Sequence, residues 1–312
     1  MKNSTQRDIF WDKVYAFAQK DPDIVIVSAD MGAPALDRFR RDMPTQFVNV
    51  GIAEQNAIML ATGLALTGKT VFAYAIAPFI TLRCLEQIRV ENAIMKTAIT
   101  IVGVGPGFGY DDSGPTHHMI EDIAIMRSMP HIRIDSISDG VMAAFFAEQS
   151  CSKSKTATNY VRLDRLDKAI IYPNGTDFFT GIELLRDKGD TCLVSTGSMT
   201  HTALSIADSL AKKGIHVGVM DLYNMPIKEQ KFLDKIRLFS QIITIEEHFL
   251  AGGLGSAVLE VLNNSGVNIP VHRMGITMDK GYCYQYGGRE AIRRYYGIDK
   301  ASLLKKITGL VR

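Results

Sequence analysis

Two segments of the chain place titratable side chains directly after runs of residues that are typical of buried strands. In residues 49–56 (NVGIAEQN), Glu54 stands where a strand turns into a helix. In residues 111–118 (DDSGPTHH), His117 lies in a Gly/Pro-rich loop that follows the apolar run 99–104. Ligands of α/β sheets bind at such carboxyl ends of strands, and loops there commonly carry function. The two segments therefore indicate a small-molecule site in which a carboxylate and a histidine can transfer protons.

Each of these residues also has a purely structural interpretation. An acid at the position of Glu54 complements the dipole of the helix that follows, and a histidine in a polar loop, such as His117, is commonly just solvated. His118 follows directly, but the chain shows no CxxC spacing that would complete a zinc site. A metal site at this loop is therefore not predicted.

Both segments lie in a first half of the chain where strands and helices alternate. Apolar runs bounded by turn residues predict strands, and apolar residues at helical spacing predict helices. The predicted strands are 24–27, 47–50, 70–75, 99–104, 132–134 and 159–163, and the predicted helices are 10–18, 53–66, 79–93 and 140–149. Such alternation predicts a mostly parallel sheet covered by helices.

A second alternating series follows a segment rich in Pro, Gly and Asp. Its predicted strands are 191–195, 217–221 and 242–246, and its predicted helices are 200–212, a helix from 228 onward, and 254–262. We therefore predict an α/β protein with two doubly wound domains, in which both sheets are mostly parallel. The first domain covers residues 1–170 and the second 189–312, and a linker at 171–188 joins them.

Composition argues against several other classes of function. The 35 basic and 33 acidic residues are scattered and leave a net charge of +2, so no footprint for nucleic acid or an anionic membrane is present. The N-terminal segment has no apolar region typical of a signal peptide, and no run of about 18 apolar residues follows. The four cysteines are far apart, which indicates a reducing setting. The sequence predicts a cytoplasmic protein that acts on small molecules, with no nucleic-acid or membrane partner.

The segment around Glu54 carries a resemblance to a known family. Residues 51–56 (GIAEQN) closely resemble the GIAEQ-type signature of the transketolase and deoxyxylulose-phosphate synthase family. In that family this glutamate hydrogen-bonds N1′ of the aminopyrimidine of thiamine diphosphate and activates the cofactor. The resemblance implies that Glu54 is a catalytic, cofactor-binding residue. It also implies a pyrimidine-binding first domain and a second domain like the transketolase C-terminal domain.

The histidine loop resembles the same family. Residues 114–117 (GPTH) are similar to its DGPTHQ motif, in which the histidine lies beside the reactive carbon of the cofactor and contacts sugar oxygens. The resemblance implies that His117 is catalytic and binds substrate, and it places Ser113 at the substrate as well. Ser113 stands where the family usually has Asp, and His118 where it usually has Gln. The family's stereochemical preference for its substrates therefore does not carry over.

A third segment, residues 72–80 (FAYAIAPFI) followed by Arg83, matches in position the family's stretch that ends in R-A-F-D-Q-I. Aromatic residues ahead of that arginine stack on the aminopyrimidine. A gapless count back from Arg83 puts Ile80 at a stacking position, whereas one extra residue brings Phe79 into register, and we favour Phe79. The resemblance implies cofactor contacts from this segment, with Arg83 also acting as a cation on the substrate side.

Two further residues take their roles from the resemblance alone. Asp30, in the run SADMG, is similar to a family segment that lies beside the cofactor. Arg162, in the run YVRLDR, aligns with an arginine that often contacts the substrate phosphate. Gly and Pro at 105–106 occupy the neighbourhood where the family places a basic residue for a sugar phosphate. The usual mode of phosphate recognition therefore does not carry over.

The family's metal-binding sequence pair is missing from this chain. Members hold Mg²⁺, and through it the diphosphate, with a GDG motif and a later Asn, and the nearest phrase here is SDG at 138–140. The resemblance thus corresponds only to the second and third domains of a full-length transketolase. It implies a separate A subunit that binds the diphosphate and most of the Mg²⁺, thiamine diphosphate shared between the subunits, and an A2B2 assembly.

We accordingly expect the B subunit of a split transketolase, which transfers a two-carbon ketol unit from a ketose to an aldehyde. The departures at Ser113 and at 105–106 favour an unusual sugar. One alternative is a carboligase similar to deoxyxylulose-phosphate synthase that decarboxylates a two-oxo acid. Another is a subunit without catalytic function that organises a partner. The sequence leaves the donor, the acceptor and the pathway open.

Overall fold

The computed structural model describes residues 5–154 and 156–311, which fold around two β-sheets. The strands are β1 (Ile24–Ser28), β2 (Phe47–Asn49), β3 (Thr70–Ile76), β4 (Thr100–Val104), β5 (Ile132–Ser136), β6 (Thr158–Leu163), β7 (Ile182–Arg186), β8 (Thr191–Ser195), β9 (Gly218–Leu222), β10 (Asn224–Met225), β11 (Gln241–Phe249) and β12 (Val271–Ile276). The α-helices are α1 (Gln6–Ala18), α2 (Pro34–Asp42), α3 (Glu54–Leu66), α4 (Ala77–Thr81), α5 (Leu85–Gln87), α6 (Asp122–Met126), α7 (Gly140–Ser150), α8 (Met199–Ala211), α9 (Glu229–Ile236), α10 (Leu254–Asn264), α11 (Arg289–Tyr296) and α12 (Lys300–Leu310).

The first sheet contains seven strands in the order β10-β5-β6-β4-β3-β1-β2. All of its neighbouring pairs are parallel except β10 with β5. Strands such as β1 (IVIVS) are short apolar runs in which every residue is buried. Because helices cover a parallel strand on both faces, the sequence of such a strand is a continuous apolar run. For this reason the strands predicted in the first half agree with the observed strands to within two residues at each end.

The second sheet contains five strands in the order β12-β11-β8-β9-β7, with β7 as an antiparallel edge strand beside β9. The two sheets confirm the predicted α/β class with two mostly parallel domains. The linker predicted at 171–188 is too long at its C-terminal end, because β7 belongs to the second sheet. The sequence does not reveal β7 because four of its five residues are only partly buried and form no clear apolar run.

Strand β10 joins the two domains. It follows β9 of the second sheet along the chain, yet it pairs antiparallel with β5 of the first sheet. The side-chain amide of Asn224 donates to the Asp135 carboxylate at 2.5 Å and to the Ile134 carbonyl at 3.2 Å. A strand of two residues is too short for a periodic signal, so the sequence does not predict this crossing.

The region predicted as one helix at 79–93 is divided into α4, α5 and a π-helical stretch, Ile88–Ile94. The prediction of a continuous helix is wrong. The side chains of Thr81 and Cys84 donate hydrogen bonds to carbonyl groups of α4, which satisfies these groups near the interruption. Between α4 and α5 the chain exposes Arg83.

An apolar core continues from the first sheet into the second. It includes Val27 and Ile101 from the first sheet together with Val194, Met220 and Ile242 from the second. Because buried side chains of both sheets share this core, the domains pack as one unit. Within the described residues, no helix combines the length and the apolar character needed to cross a lipid bilayer.

Candidate functional site

Glu54 begins α3 and is almost completely buried, with 3% of its surface exposed. The turn before it requires Gly51, whose φ of +72° lies in the left-handed region that favours glycine. Asn49 at the end of β2 supports this turn, since its Oδ1 accepts the N–H of Gly51 at 3.0 Å. The Glu54 carboxylate accepts a hydrogen bond from Nη1 of Arg83 at 2.5 Å. The fold thus brings a buried acid to the sheet edge and pairs it with an exposed cation.

Arg83, Phe79 and His117 form a continuous line of contacts that starts at Glu54. The Arg83 guanidinium lies 4.5 Å from the centre of the Phe79 ring. That ring meets the His117 imidazole edge to face, with ring centres 5.0 Å apart. Phe79 and His117 are half-buried and Arg83 is exposed, so all three reach the surface beside the buried carboxylate. The structure therefore brings together four predicted site residues that come from three separate segments.

Ile80, which the sequence also placed at the cofactor, lies elsewhere. It is fully buried and belongs to the apolar core. Successive residues of an α-helix point in directions roughly 100° apart, so α4 turns Phe79 toward the site and Ile80 into the core. The structure corrects the expectation for Ile80 and leaves Phe79 as the aromatic side chain in position to stack on a flat ligand.

His117 lies in the histidine loop, which we define as residues 107–119. The two ends of this loop exchange backbone hydrogen bonds of 2.6 and 2.8 Å. Gly114, with φ of +79°, precedes a single 3-10 turn, Pro115–His117. Ser113 stands beside it, half-buried, and its hydroxyl donates to the Asp112 carboxylate at 3.0 Å. The closed base and the tight turn hold His117 and Ser113 next to each other.

His118 has a different environment from that of His117. It is buried, with its ring centre 5.1 Å from that of Phe108. Burial lowers the pKa of His118, because a charged imidazole would lose its hydration there. The ring is therefore neutral near pH 7, and His118 serves as a packing residue.

Asp30 lies directly beyond the end of β1 and is exposed. Its N–H donates to Oδ1 of Asn49 at 3.0 Å, and the Asn49 amide donates to the Asp30 carboxylate at 3.2 Å. Asn49 also supports the turn before Glu54. Asp30 is therefore linked to the site through one side chain, and its cofactor contact stays a prediction.

Arg162, predicted to bind substrate, is engaged inside the protein. It lies on β6, is buried, and donates to both oxygens of the Asp122 carboxylate at 2.7 and 3.1 Å and to Ser136 at 2.6 Å. The structure does not bring it to the line of contacts that includes Glu54 and His117. An ion pair of this kind leaves little of the guanidinium available to a ligand.

Arg165, three residues further along, is the arginine that reaches the histidine loop. Its guanidinium lies 4.7 Å from the centre of the Tyr110 ring, and it donates to the Asp112 carboxylate at 3.4 and 3.5 Å. Arg165 is not among the site residues predicted from the sequence. The sequence feature that points to Arg165 is the end of the strand. β6 ends at Leu163, and a residue just beyond the carboxyl end of a parallel strand can face the site.

The second domain also holds the histidine loop, a contact that was not predicted from the sequence. The N–H of Phe108 donates to the carboxylate of Glu247 on β11 at 3.2 Å. The N–H of Arg289, the first residue of α11, donates to the Asp111 carboxylate at 2.6 Å. The acidic run at 246–247 is visible in the sequence, but nothing in its spacing reveals that its partner is a loop of the other domain.

Comparison with known proteins identifies the family. Residues 3–167 match the family described as "Transketolase, pyrimidine binding domain", and residues 181–303 match "Transketolase, C-terminal domain". The chain belongs to the transketolase family. These matches support the predicted kinds of the two domains and cover most of the chain.

Individual transketolase relatives match along nearly the whole chain. The B subunit of apulose-4-phosphate transketolase from Actinobacillus succinogenes is 32% identical, over 95% of this chain and 95% of that protein. The 6-deoxy-6-sulfo-D-fructose transketolase subunit SqwH of a Clostridium species is 32% identical, over 86% of this chain and 84% of that protein. A solved structure described as a split gene transketolase, inactive beta4 tetramer, has a TM-score of 0.83 and 29% identity, with 99% of both chains covered. The prediction that the chain corresponds to the B part of a split transketolase is confirmed.

Thiamine diphosphate is the cofactor that the transketolase family implies, and the residues present fit its pyrimidine half. A buried carboxylate, a half-buried aromatic ring and an imidazole suit a flat ring with polar nitrogens. Across residues 5–154 and 156–311, no group of three or more His, Cys, Asp or Glu side chains is arranged to hold a metal ion.

Proposed function

We propose that this chain is the B subunit of a two-subunit transketolase that transfers a two-carbon ketol unit from a ketose to an aldehyde. The observation that supports this most directly is the line of contacts from the buried carboxylate of Glu54 through Arg83 and Phe79 to His117. It combines a proton-holding acid, a flat apolar surface and a proton-transfer group at one edge of the sheet.

Thiamine diphosphate, when bound, supplies the carbon nucleophile that carries the two-carbon unit. Glu54 holds a proton at N1′ of the aminopyrimidine, and its burial keeps competing water away from that hydrogen bond. Phe79 offers the face of its ring to the pyrimidine. Arg83 keeps the Glu54 carboxylate oriented through its hydrogen bond.

His117 transfers protons to and from the hydroxyl groups of the sugar. It is half-buried, and its Nδ1 lies 3.0 Å from the hydroxyl of Thr116. An imidazole carries two ring nitrogens, one of which can accept a proton while the other donates one, which suits a group that moves protons in both directions during one turnover. The closed base of the histidine loop holds this imidazole near the Phe79 ring.

The partner is a diphosphate-binding A subunit that completes the site in an A2B2 assembly, with Mg²⁺ held mainly by that subunit. Exposed apolar side chains on and beside α3 support this, and we call them the exposed apolar face: they are Ile52, Met59 and Leu66, together with Ile94 and Met95 at the end of the π-helical stretch that packs against α3. Met59 and Leu66 are two turns apart on one side of α3, the helix that begins with Glu54. Exposed apolar surface of this kind marks a protein contact, and here it lies next to the site.

The substrate class is an anionic sugar outside the common pentose phosphates. Two relatives are named for apulose-4-phosphate and for 6-deoxy-6-sulfo-D-fructose. The two cations near the histidine loop, Arg165 and Arg83, suit a phosphate or sulfonate group on such a sugar. Ser113, where the family usually has Asp, changes the hydroxyl recognition beside His117.

The test is a two-carbon transfer assay with this chain, a candidate A subunit, thiamine diphosphate and Mg²⁺. We expect transfer from a ketose phosphate or sulfoketose to an aldehyde only when both subunits are present. Release of CO₂ from pyruvate in place of ketol transfer would indicate a carboligase. Full activity in a complex that carries Glu54→Ala would show that the chain merely organises its partner.

A further inference from the structure

A segment of the second domain crosses the histidine loop and exposes three tyrosines. We call residues 277–288, between β12 and α11, the tyrosine strap. Tyr282, Tyr284 and Tyr286 alternate along it and are 49%, 75% and 67% exposed. Large aromatic side chains rarely stay this exposed together without a contact to make.

The strap is tied to the first domain near its middle and at its C-terminal end. The hydroxyl of Tyr282 donates to the Glu121 carboxylate at 2.7 Å. At the C-terminal end, the N–H of Arg289, the residue after the strap, donates to the Asp111 carboxylate at 2.6 Å. Asp111 and Glu121 flank His117 in the chain. The strap therefore spans the part of the molecule that carries His117.

Tyr286 lies directly against the tip of the histidine loop. A Cβ atom built on Gly114 would stand 3.1 Å from the Tyr286 hydroxyl oxygen and 3.9 Å from the ring carbon that bears it. Gly114 separates Ser113 from the turn that carries His117. The Tyr286 side chain is largely exposed, and its hydroxyl forms no hydrogen bond with any residue that the structure describes. It is thus a free donor and acceptor next to two predicted substrate-binding residues.

We propose that Tyr286 contacts the sugar substrate, so that the second domain takes part in substrate recognition. This inference rests on the proposed transketolase function and extends its site across the domain boundary. A phenol suits a polyhydroxylated ligand, because its ring packs on C–H groups while its hydroxyl bonds a sugar hydroxyl.

The test compares Tyr286→Phe with the control Tyr284→Phe in the assembled A and B complex. Both residues are exposed and lie in the same strap, so neither change disturbs the fold. With 6-deoxy-6-sulfo-D-fructose or fructose 6-phosphate as donor, we expect Tyr286→Phe to raise KM about tenfold while kcat changes less, since one hydrogen bond of ordinary strength is lost. Tyr284→Phe should leave both constants unchanged, and equal KM values in the two variants would overturn the inference.

A second readout does not depend on turnover. Tetranitromethane nitrates exposed tyrosines, and peptide mass spectrometry measures the modification at positions 284 and 286 separately. We expect either ketose to protect Tyr286 but not Tyr284 in the complex, and equal nitration with and without sugar would overturn the inference. Protection of Tyr286 in a complex without ketol transfer would support the contact while contradicting the proposed reaction.

Discussion

Arg162 and Arg165 lie three residues apart at the end of β6 and have different environments. Arg162 is buried in an ion pair with Asp122, whereas Arg165 stacks on Tyr110 and is partly exposed. A guanidinium whose donors already meet a buried carboxylate stabilises the fold, and one at the rim can meet a ligand. We therefore expect Arg162 to stabilise the fold and Arg165 to take part in ligand recognition.

This difference gives a prediction for a matched pair of variants. Arg162→Met should lower the free energy of unfolding by about 3 kcal/mol or more, because it leaves the Asp122 carboxylate buried without its cation. Arg165→Met should change stability by less than about 1 kcal/mol and raise KM for an anionic ketose about tenfold. Urea denaturation and steady-state kinetics of the mixed complex measure the two effects. A large loss of stability in Arg165→Met, with a raised KM but normal stability in Arg162→Met, would contradict these roles.

Glu54 gives the sharpest prediction for catalysis. Glu54→Gln should reduce kcat of the assembled enzyme at least about 100-fold, because the amide cannot hold and release the proton that the carboxyl group handles. The control is Glu86→Gln, an exposed acid on α5, which should leave kcat within about twofold. Activity of Glu54→Gln close to that of the control would exclude Glu54 from catalysis.

Motifs predicted part of this site because they join residue type to a fixed place in the fold. The run GIAEQN gave Glu54, and GPTH gave His117. The choice between Phe79 and Ile80 depended on the direction in which each side chain points from its helix. The predicted helix, 79–93, did not have the bounds of α4. The choice between the two arginines depended on where β6 ends. Both choices lie between residues only one to three positions apart, and sequence patterns do not resolve positions that finely.

At the scale of elements, β11 and α11 of the second domain hold the histidine loop through a buried ion-pair network. Glu247 accepts hydrogen bonds from Arg289 and Arg293, and Arg289 also donates to Asp164 at the end of the first sheet. Burial works to raise the pKa of Glu247, but the two guanidinium groups outweigh it and hold the pKa well below its usual value. The carboxylate is therefore charged at neutral pH and anchors the interface.

The network predicts a pH-dependent effect on stability. Glu247→Gln should lower the free energy of unfolding by about 3 kcal/mol at pH 7, since it leaves two buried guanidinium groups short of a partner. A carboxyl group with a depressed pKa stabilises the fold above its unfolded pKa and loses that contribution as the pH falls. The difference in the free energy of unfolding between wild type and Glu247→Gln should therefore become smaller below about pH 4.5.

The control for this experiment is Glu290→Gln. Glu290 also pairs with Arg293 but is 63% exposed, so its loss should cost about 0.5 kcal/mol or less. Urea denaturation of both variants at pH 7 and at pH 4 measures the effects. A difference between wild type and Glu247→Gln that grows on acidification would contradict the depressed pKa.

The sequence predicted elements well where burial is continuous and poorly where contacts are long-range. Most parallel strands of both sheets are apolar runs, and they lie where expected. The parallel edge strand β12 (VHRMGI) was not predicted, because only one of its six residues is buried and it forms no apolar run. β7, β10 and the π-helical stretch depend on pairing and packing with distant residues, so local periodicity does not show them. The same holds for the contact between Glu247 and the histidine loop, whose partners are 139 residues apart.

At the scale of the whole molecule, the exposed apolar face beside Glu54 predicts how the enzyme assembles. Met59→Glu combined with Leu66→Glu should raise the Kd for the A subunit at least about 100-fold, because it places two charges in an apolar contact. The control is Leu238→Glu, which changes an equally exposed apolar residue of the second domain. It should leave the Kd within about twofold, as measured by analytical ultracentrifugation. Equal effects of the two changes would place the partner elsewhere.

The central claim, that this chain holds half of a shared cofactor site, is tested most directly by isothermal titration calorimetry. Thiamine diphosphate with Mg²⁺ is titrated into this chain alone and into its equimolar mixture with the A subunit. We predict tight, saturable binding in the mixture only, and weaker binding when the chain carries Glu54→Gln. Binding to this chain alone that is as tight as binding to the mixture would contradict the claim.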